Sequence, residues 1–199
     1  MLRVPRPARF SDDDVLDAAL ACVARGGGEV TIQQVSAELG GPIGSIYHRF
    51  ASREVLLARL WLRSVRRFQA GVLPLAEHGD PHQALLEIAL HVPRYCRDHP
   101  DEARSLTLHR QDRLLADCPP GLEDDVAELN TELLRVSKTL TRRRYGNAQR
   151  PALTLVAMAT RAGPYGFVRP YLGQAVPAVV DDVVAASSDA ILRLGDRSS

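Results

Sequence analysis

The chain has 199 residues, of which 45% are hydrophobic and only 5% aromatic, and a formal net charge of +1. This length and apolar content suit one compact domain or two small ones, and they exclude a disordered tail or a collagen-like rod. Because alanine, leucine and valine dominate and aromatic residues are few, the composition favours helices packed on helices over a β-sandwich. We therefore expect an all-α protein.

The cysteines and the hydropathy pattern predict a location. The three cysteines are far apart and form no C-x-x-C pair, so neither a disulfide framework nor a thiolate zinc site is indicated. No apolar run approaches the roughly 20 residues that a membrane span needs, and the first ten residues contain no secretory apolar stretch. We expect a cytoplasmic protein without a membrane partner.

Three helices are predicted in the first 50 residues. Ser11 begins a capping-box pattern, and apolar residues then recur at helical spacing up to a run of glycines, which predicts a helix over 11–25. Thr31 can cap a second helix over 32–39, which ends at two glycines. A third, short helix is predicted over 45–50.

Six further helices are predicted after residue 51. They cover residues 52–70, 82–98, 100–116, 122–144, 149–169 and 175–194. The last two contain the most apolar and least charged sequence, which fits an interface with a second copy better than a monomer core. The chain should therefore contain about nine helices, with the helix over 52–70 connecting an N-terminal domain over 1–51 to a C-terminal domain over 52–199.

Residues 31–50, TIQQVSAELGGPIGSIYHRF, have the layout of a helix-turn-helix. The second helix of such a unit enters the major groove, so its first residues must be small and its outward residues polar. Ile46 and Phe50 are four residues apart and are expected to face the core. The expected DNA contacts are Thr31, Gln33, Gly44, Ser45, Tyr47, His48, Arg49 and Arg53. Gln33 and Gln34 either read an adenine edge or belong to a solvated helix surface.

The charge is unevenly distributed along the chain. Residues 1–70 carry ten arginines and no lysine against seven acidic residues, so this part is basic although the total is near zero. An N-terminal basic arm contains Arg3, Arg6 and Arg9, which either enter a minor groove or make no contact. The distribution favours double-stranded DNA as the partner of the N-terminal part.

One unbroken stretch combines the helix-turn-helix with a Tyr-x-x-Phe and a Ser-Arg ending. Its residues are Thr31, Val35, Ala37, Leu39, Gly40, Gly44, Ser45, Ile46, Tyr47, Phe50, Ser52 and Arg53. On these residues the chain resembles the tetracycline-repressor (TetR) family of bacterial transcription regulators over about residues 11–66. In that family the residue after Leu-Gly is usually branched and apolar, whereas here it is Gly41. We expect Ile43 to take over the packing of the missing side chain.

The resemblance implies a function for the whole chain. In that family the last two helices, here within residues 149–194, pair with their copies in a homodimer, and the operator is a palindrome. The middle helices enclose a small-molecule pocket, so the C-terminal domain is expected to bind a ligand and to form the dimer. The candidate ligand contacts, which combine apolar bulk with a polar tip, are Trp61, His91, Tyr95, His109 and Cys118. The implied protein is a repressor that a small-molecule inducer releases from DNA.

Three other functions are open to the sequence. His91, Cys96 and His99, or His78 with His82, raise a metal site, but Cys96 points away from the face of the two histidines. Cys96 near His99 imitates a nucleophile and its base, yet no third orienting group is recognisable. We therefore expect no enzyme, no metal and no cofactor. The remaining alternative is a helical interaction protein or small-molecule-binding module that has lost DNA binding.

Overall fold

The computed structural model describes residues 10–197, which form helices and turns without a strand. The helices are α1 (Asp12–Gly26), α2 (Ile32–Leu39), α3 (Ile43–Tyr47), α4 (Arg53–Val72), α5 (Pro81–Asp98), α6 (Pro100–Ser105), α7 (Gln111–Ala116), α8 (Glu123–Glu128), α9 (Thr131–Tyr145), α10 (Arg150–Ala157), α11 (Gly163–Val168) and α12 (Val179–Leu194). The predicted all-α class is confirmed. Within residues 10–197, no helix combines the length and the apolar character that crossing a membrane requires.

The first two helices begin at the predicted caps. The Ser11 hydroxyl accepts a hydrogen bond from the Asp14 amide at 3.1 Å, while the Asp14 carboxylate accepts one from the Ser11 amide at 2.6 Å. Thr31 and Gln34 repeat this reciprocal arrangement at the start of α2. Each box satisfies backbone donors that the first helical turn leaves without a partner. Gly40 ends α2 in the left-handed region, with φ of 65°.

The third helix begins two residues earlier than predicted. Its N-cap is Pro42, whose carbonyl accepts from the Ser45 amide at 2.9 Å, so α3 covers Ile43–Tyr47 and not 45–50. The expectation that Ile43 packs in place of a side chain at residue 41 is wrong, because Ile43 is 36% exposed. The ring of Phe10 lies against the Gly41 backbone instead.

The N-terminal core lies between α1, α2, α3 and the first half of α4, which we call the head (residues 12–60). Its buried residues are Val15, Leu16, Ala18, Ala19, Cys22, Val23, Val30, Ile32, Val35, Ile46, Phe50, Leu56, Leu57 and Leu60. Partly buried Leu108 packs against this core and also against the next core, which surrounds Trp61. The loop between α6 and α7 therefore links the head to the rest of the chain.

Two helices predicted as continuous, over 100–116 and 122–144, are interrupted. The first breaks between α6 and α7, where the Trp61 indole N–H donates to the Leu106 carbonyl at 3.3 Å. The second breaks between α8 and α9, where the amide nitrogen of Gln69 donates to the Leu129 carbonyl at 3.0 Å. The side-chain nitrogen Nε2 of Gln111 donates to the Val126 carbonyl at 2.6 Å. Side chains from elsewhere in the sequence thus satisfy carbonyls near each break.

The segment predicted as one helix over 149–169 contains a π-helical turn, Met158–Ala162, between α10 and α11. The Gly163 amide bonds to the Met158 carbonyl, five residues back, and Pro164 has no amide hydrogen to continue the α pattern. The Ala159 carbonyl accepts from the buried Ser188 hydroxyl of α12 at 2.7 Å. The wide turn is therefore fixed by both local sequence and packing.

Candidate nucleic-acid interface

Residues 43–50, which contain α3 and the turn after it, divide into a buried face and an exposed face, as predicted. Ile46 and Phe50 are buried in the head core, while Tyr47 is 50% exposed and His48 is also exposed. Gly44 is exposed, and apart from the adjoining residues and the backbone of α3 no atom lies within 4 Å of where its Cβ would be. The exposed side of α3 and of the turn after it, which we call the outward face of α3, thus presents a phenol, an imidazole and a stretch of exposed backbone.

The first turn of α2 also carries exposed polar residues. Thr31 and Gln33 are exposed. The Thr31 hydroxyl accepts from the Gln34 amide, and the Gln34 side chain returns to the Thr31 amide at 2.8 Å. The Gln34 side chain is therefore engaged in the capping box, whereas Gln33 is an exposed residue of the first helical turn.

Arg49 and Arg53, the two arginines predicted to contact DNA, form hydrogen bonds and ion pairs within the chain. Arg49 is 14% exposed at its side chain; it forms an ion pair with Asp12 at 3.1 Å and donates to the carbonyls of Ser45 and Phe10. Arg53 donates through Nε to the Val30 carbonyl and lies 3.7 Å from the Glu54 carboxylate. Arg49 therefore joins α3 to the start of α1, whereas the Arg53 side chain keeps about a third of its surface exposed.

Several other arginines of the basic N-terminal part are also paired. Arg63 contacts both Asp13, at 3.2 Å, and Asp17, at 2.8 Å. Arg66 pairs with Asp125 of α8, and Arg67 pairs with the buried Glu102 of α6. The predicted arm residues Arg3, Arg6 and Arg9 lie outside the described residues. The net positive charge that residues 10–70 present is thus smaller than the sequence count suggests.

The predicted ligand residues fall into two separate clusters. In the first, the rings of Trp61 and His109 meet edge to face at 6.0 Å, and Cys118 packs at the edge of the same core. The His109 Nε2 atom is buried without a hydrogen-bond partner. Burial, and secondarily the nearby Arg53 charge, lowers the pKa of His109.

The second cluster contains His91 and Tyr95 of α5 together with Phe68 of α4. His91 Nε2 lies 3.0 Å from the Phe68 carbonyl, and the His91 ring lies against Gly71, where a Cβ would collide with it. Burial lowers the pKa of His91 and raises the pKa of Tyr95 to about 12. This cluster pins the end of α4 to α5.

None of the five predicted ligand residues lines either of two surface grooves. A groove of about 590 Å³ lies between α4 and α8 and is lined mainly by Arg66, Gln69 and acidic residues of α8. A second, of about 520 Å³, lies beside Phe10, Asp14 and Glu38. Within residues 10–197, no group of three or more His, Cys, Asp or Glu side chains is arranged to hold a metal ion.

Sequence reasoning did not select Phe10, Ser64 or Glu102. Phe10 precedes the Ser11 cap, and its partner Gly41 occupies a position where a larger apolar residue is expected. The missing side chain at residue 41 was the one sign in the sequence that another residue packs there. Ser64 interrupts the apolar pattern of α4 and is fully buried, with its hydroxyl unpartnered. Glu102 is buried with one carboxylate oxygen unpartnered, and nothing in the local sequence marks it.

The N-terminal residues match a known protein family. Residues 15–60 match the family described as bacterial regulatory proteins of the tetR family. A comparison with curated protein sequences found no match.

Solved structures extend the likeness over the whole length. A transcriptional regulator from Rhodococcus sp. Rha1 is similar with a TM-score of 0.70 at 18% identity, covering 95% of this chain and 97% of that one. PfmR, a TetR-family regulator from Thermus thermophilus, is similar with a TM-score of 0.70 at 18% identity, covering 90% of this chain and 97% of that one. KstR2 of Mycobacterium tuberculosis, a ketosteroid transcriptional regulator, gives 0.69 at 16% identity over 96% and 97%.

At these identities the solved structures show a shared fold, and the match over residues 15–60 coincides with the helix-turn-helix and its exposed α3 face. The fold and the N-terminal match therefore agree with each other. Residues 15–60 therefore match the N-terminal part of the tetR family of bacterial regulatory proteins, and the whole chain shares the fold of solved transcriptional regulators.

Proposed function

We propose that the protein is a homodimeric transcriptional repressor that binds a palindromic operator through α3 and is released by a small-molecule inducer. The observation that carries this proposal is the outward face of α3, where Tyr47 and His48 are exposed while Ile46 and Phe50 anchor the helix. Such a face suits base and phosphate contacts in a major groove. Residues 1–51 are assigned to DNA binding and residues 52–199 to ligand binding and dimerisation.

In this proposal the exposed residues divide by role. Gly44 and Ser45 let the α3 backbone approach the DNA closely, and the Tyr47 hydroxyl donates to a phosphate oxygen. His48 and Gln33 face base edges, while Thr31 and Arg53 contact phosphates on either side. Arg49, which is engaged by Asp12, acts by holding α3 in place.

The dimer is proposed to form through residues 149–194, which contain α10, the π-helical turn, α11 and α12. Exposed apolar side chains are concentrated there: Met158, Tyr165, Phe167, Val179, Val183 and Leu194. Val179 and Val183 lie four residues apart on one face of α12, with Val179 60% exposed. A second copy covering this face would bury it, and the two α3 helices of the dimer would then be related by a two-fold axis.

The inducer is proposed to bind among the middle helices. Unpartnered buried polar atoms on Ser64, Glu102 and His109 support this assignment, because a polar group of a ligand would satisfy them. All three lie on α4, α6 or the loop after α6, which connect the head to the rest of the chain. A ligand that binds a spacing of the heads incompatible with the operator shifts the dimer away from DNA.

DNA binding is tested by selecting duplexes from a random pool with the purified protein. We expect one palindromic sequence to be enriched and its affinity to fall steeply with salt, with a slope of about −0.9 per neutralised phosphate. His48→Ala should weaken binding to this duplex, whereas His78→Ala, an exposed histidine outside the head, should not. Failure to select any duplex would favour an interaction protein that has lost DNA binding.

The dimer and the inducer need separate tests. Val179→Asp combined with Val183→Asp should yield monomers in analytical ultracentrifugation, while Leu134→Asp, at the 59% exposed Leu134 on α9, should remain dimeric. A thermal-shift screen of small apolar molecules with a polar group should identify compounds that stabilise the protein and release the selected duplex. A monomeric wild-type protein, or stabilising compounds that leave DNA binding unchanged, would contradict these parts of the proposal.

A further inference from the structure

The turn between α2 and α3 contains a glycine that its backbone conformation does not require. Gly40 has φ of 65°, which favours glycine, but Gly41 is outside the left-handed region. A Cβ on Gly41 would lie 2.6 Å from Cε2 and 3.0 Å from Cζ of Phe10. The Phe10 ring therefore occupies the space that a side chain at residue 41 would take.

The turn is otherwise held by its own backbone and by Ser36. The Gly41 amide donates to the Ser36 carbonyl at 3.2 Å, and the Ser36 hydroxyl donates to the Gly41 carbonyl at 2.6 Å. Ile43, the next apolar residue, is exposed. The apolar contact against the Gly41 backbone thus comes from Phe10, 31 positions earlier in the chain.

Arg49 fixes the same segment from the other end of α3. It donates to the Phe10 carbonyl, donates to the Ser45 carbonyl at 3.1 Å and pairs with Asp12 at 3.1 Å. One largely buried guanidinium therefore joins both ends of the segment Phe10–Asp12 to α3. The phenyl ring and the guanidinium together bind this segment to the turn and to the helix.

We infer that Phe10 is a positioning residue for α3, supplying the packing that Gly41 lacks, with Arg49 locking its backbone. This inference rests on the proposed function, because the surface that it positions is the face with Tyr47 and His48. Loss of the ring allows α3 to tilt relative to α2. Sequence-specific binding needs base-edge geometry and should suffer more than non-specific binding, which relies on phosphate contacts.

The test removes the ring at residue 10 and adds a side chain at residue 41, separately and together. The variants are Phe10→Ala, Gly41→Val and the double variant, with Phe10→Leu as the conservative form. Two quantities are measured: amide hydrogen exchange over residues 39–49 in the free protein, and affinity for the selected duplex and for a scrambled duplex. We expect Phe10→Ala to accelerate exchange about tenfold and to weaken specific binding about tenfold. Affinity for the scrambled duplex should change less than about twofold.

The double variant is the decisive one. Gly41→Val alone should also weaken specific binding, because valine collides with the ring, and Phe10→Ala with Gly41→Val should recover most of the loss in both measurements. Additive losses in the double variant, or unchanged exchange in Phe10→Ala, would overturn the inference. If Phe10→Ala fails to fold, Phe10→Leu with and without Gly41→Val carries the same comparison.

The exchange measurement needs no DNA, so the two failures are distinguishable. A wild-type protein that selects no duplex refutes the proposed function, while recovery of slow exchange in the double variant still supports positioning of α3 by Phe10. A protein that binds its duplex but shows no coupling between residues 10 and 41 refutes the positioning role alone.

Discussion

The first two helix starts of the head and the helix breaks of the C-terminal region (residues 61–197) have different causes. In the head, α1 and α2 begin at side chains three residues from their hydrogen-bond partners, as in the Ser11 and Thr31 boxes. In the C-terminal region, breaks in the predicted helices are stabilised by side chains from distant parts of the sequence, such as Gln69 at Leu129. Helix ends fixed by neighbours are visible in a single sequence, and ends fixed by packing are not.

The largest expected effect concerns the core of the head. Phe50 is fully buried between α3 and the other head helices, so Phe50→Ala should cost about 3–5 kcal/mol in the free energy of unfolding. Denaturant unfolding followed by circular dichroism measures the loss, and Leu134→Ala, at an exposed leucine, should change stability by less than about 0.5 kcal/mol. Equal costs would show that the head core does not hold α3.

A second variant addresses the distant cap in the C-terminal region. Gln69→Ala removes the amide that donates to the Leu129 carbonyl and to Asn130 Oδ1 at 2.9 Å, which should cost about 1–2 kcal/mol. Denaturant unfolding is again the measurement. Gln83→Ala, on the exposed side of α5, is the matched control with an expected cost below about 0.5 kcal/mol. Similar losses in both would contradict side-chain capping of the α8–α9 break.

A smaller effect should appear in the pH dependence of stability. Burial lowers the pKa of His109 in the folded protein, while the unfolded chain keeps the ordinary value of about 6.5. Well above pH 6.5 His109 is unprotonated in both states and its contribution is constant. As the pH falls towards and below about 6.5, the unfolded state binds the proton first and stability decreases. His109→Phe keeps an aromatic ring beside Trp61 and should reduce the acid-induced fall in melting temperature. An unchanged fall would show that His109 does not contribute to acid sensitivity.

The smallest change in stability should accompany Gly44→Ala, which we expect to increase stability and to decrease DNA affinity. Apart from the adjoining residues and the backbone of α3, a Cβ at Gly44 meets no atom within 4 Å, so alanine in α3 should stabilise the protein by about 0.5–1 kcal/mol. The same methyl group should weaken binding to the selected duplex if the α3 backbone approaches DNA closely. Thermal unfolding and DNA titration measure the two signs, and increased affinity would place Gly44 away from the interface.

The sequence alone predicted the helical class, the first two caps and the inward positions of Ile46 and Phe50. These features depend on short-range periodicity and capping, which act within a few residues. It did not predict that Phe10 fills the turn or that Arg49 binds Asp12, because both contacts depend on the crossing of α1 and α3. The DNA and ligand roles of the predicted residues stay predictions.

Charge and ligand residues show the same limit. A count over residues 1–70 treats each arginine alike, yet Arg63 faces two aspartates of α1 and Arg67 faces Glu102 of α6. Residues chosen for an apolar body and a polar tip separated into the cluster around Trp61 and the cluster around His91. Residue type indicates which side chains suit a pocket, but helix packing decides which of them meet.

The wide turn at Met158–Ala162 has a consequence for comparing this region between relatives. A π turn holds about one residue more than an α turn, and each residue rotates an α-helix by about 100°. With the turn present, Val156, Ala159, Pro164 and Val168 are all buried. A relative that lacks the wide turn is expected to be one residue shorter here, with matching buried positions on both sides. A correct alignment would then place a single gap inside the helix and not in a neighbouring loop.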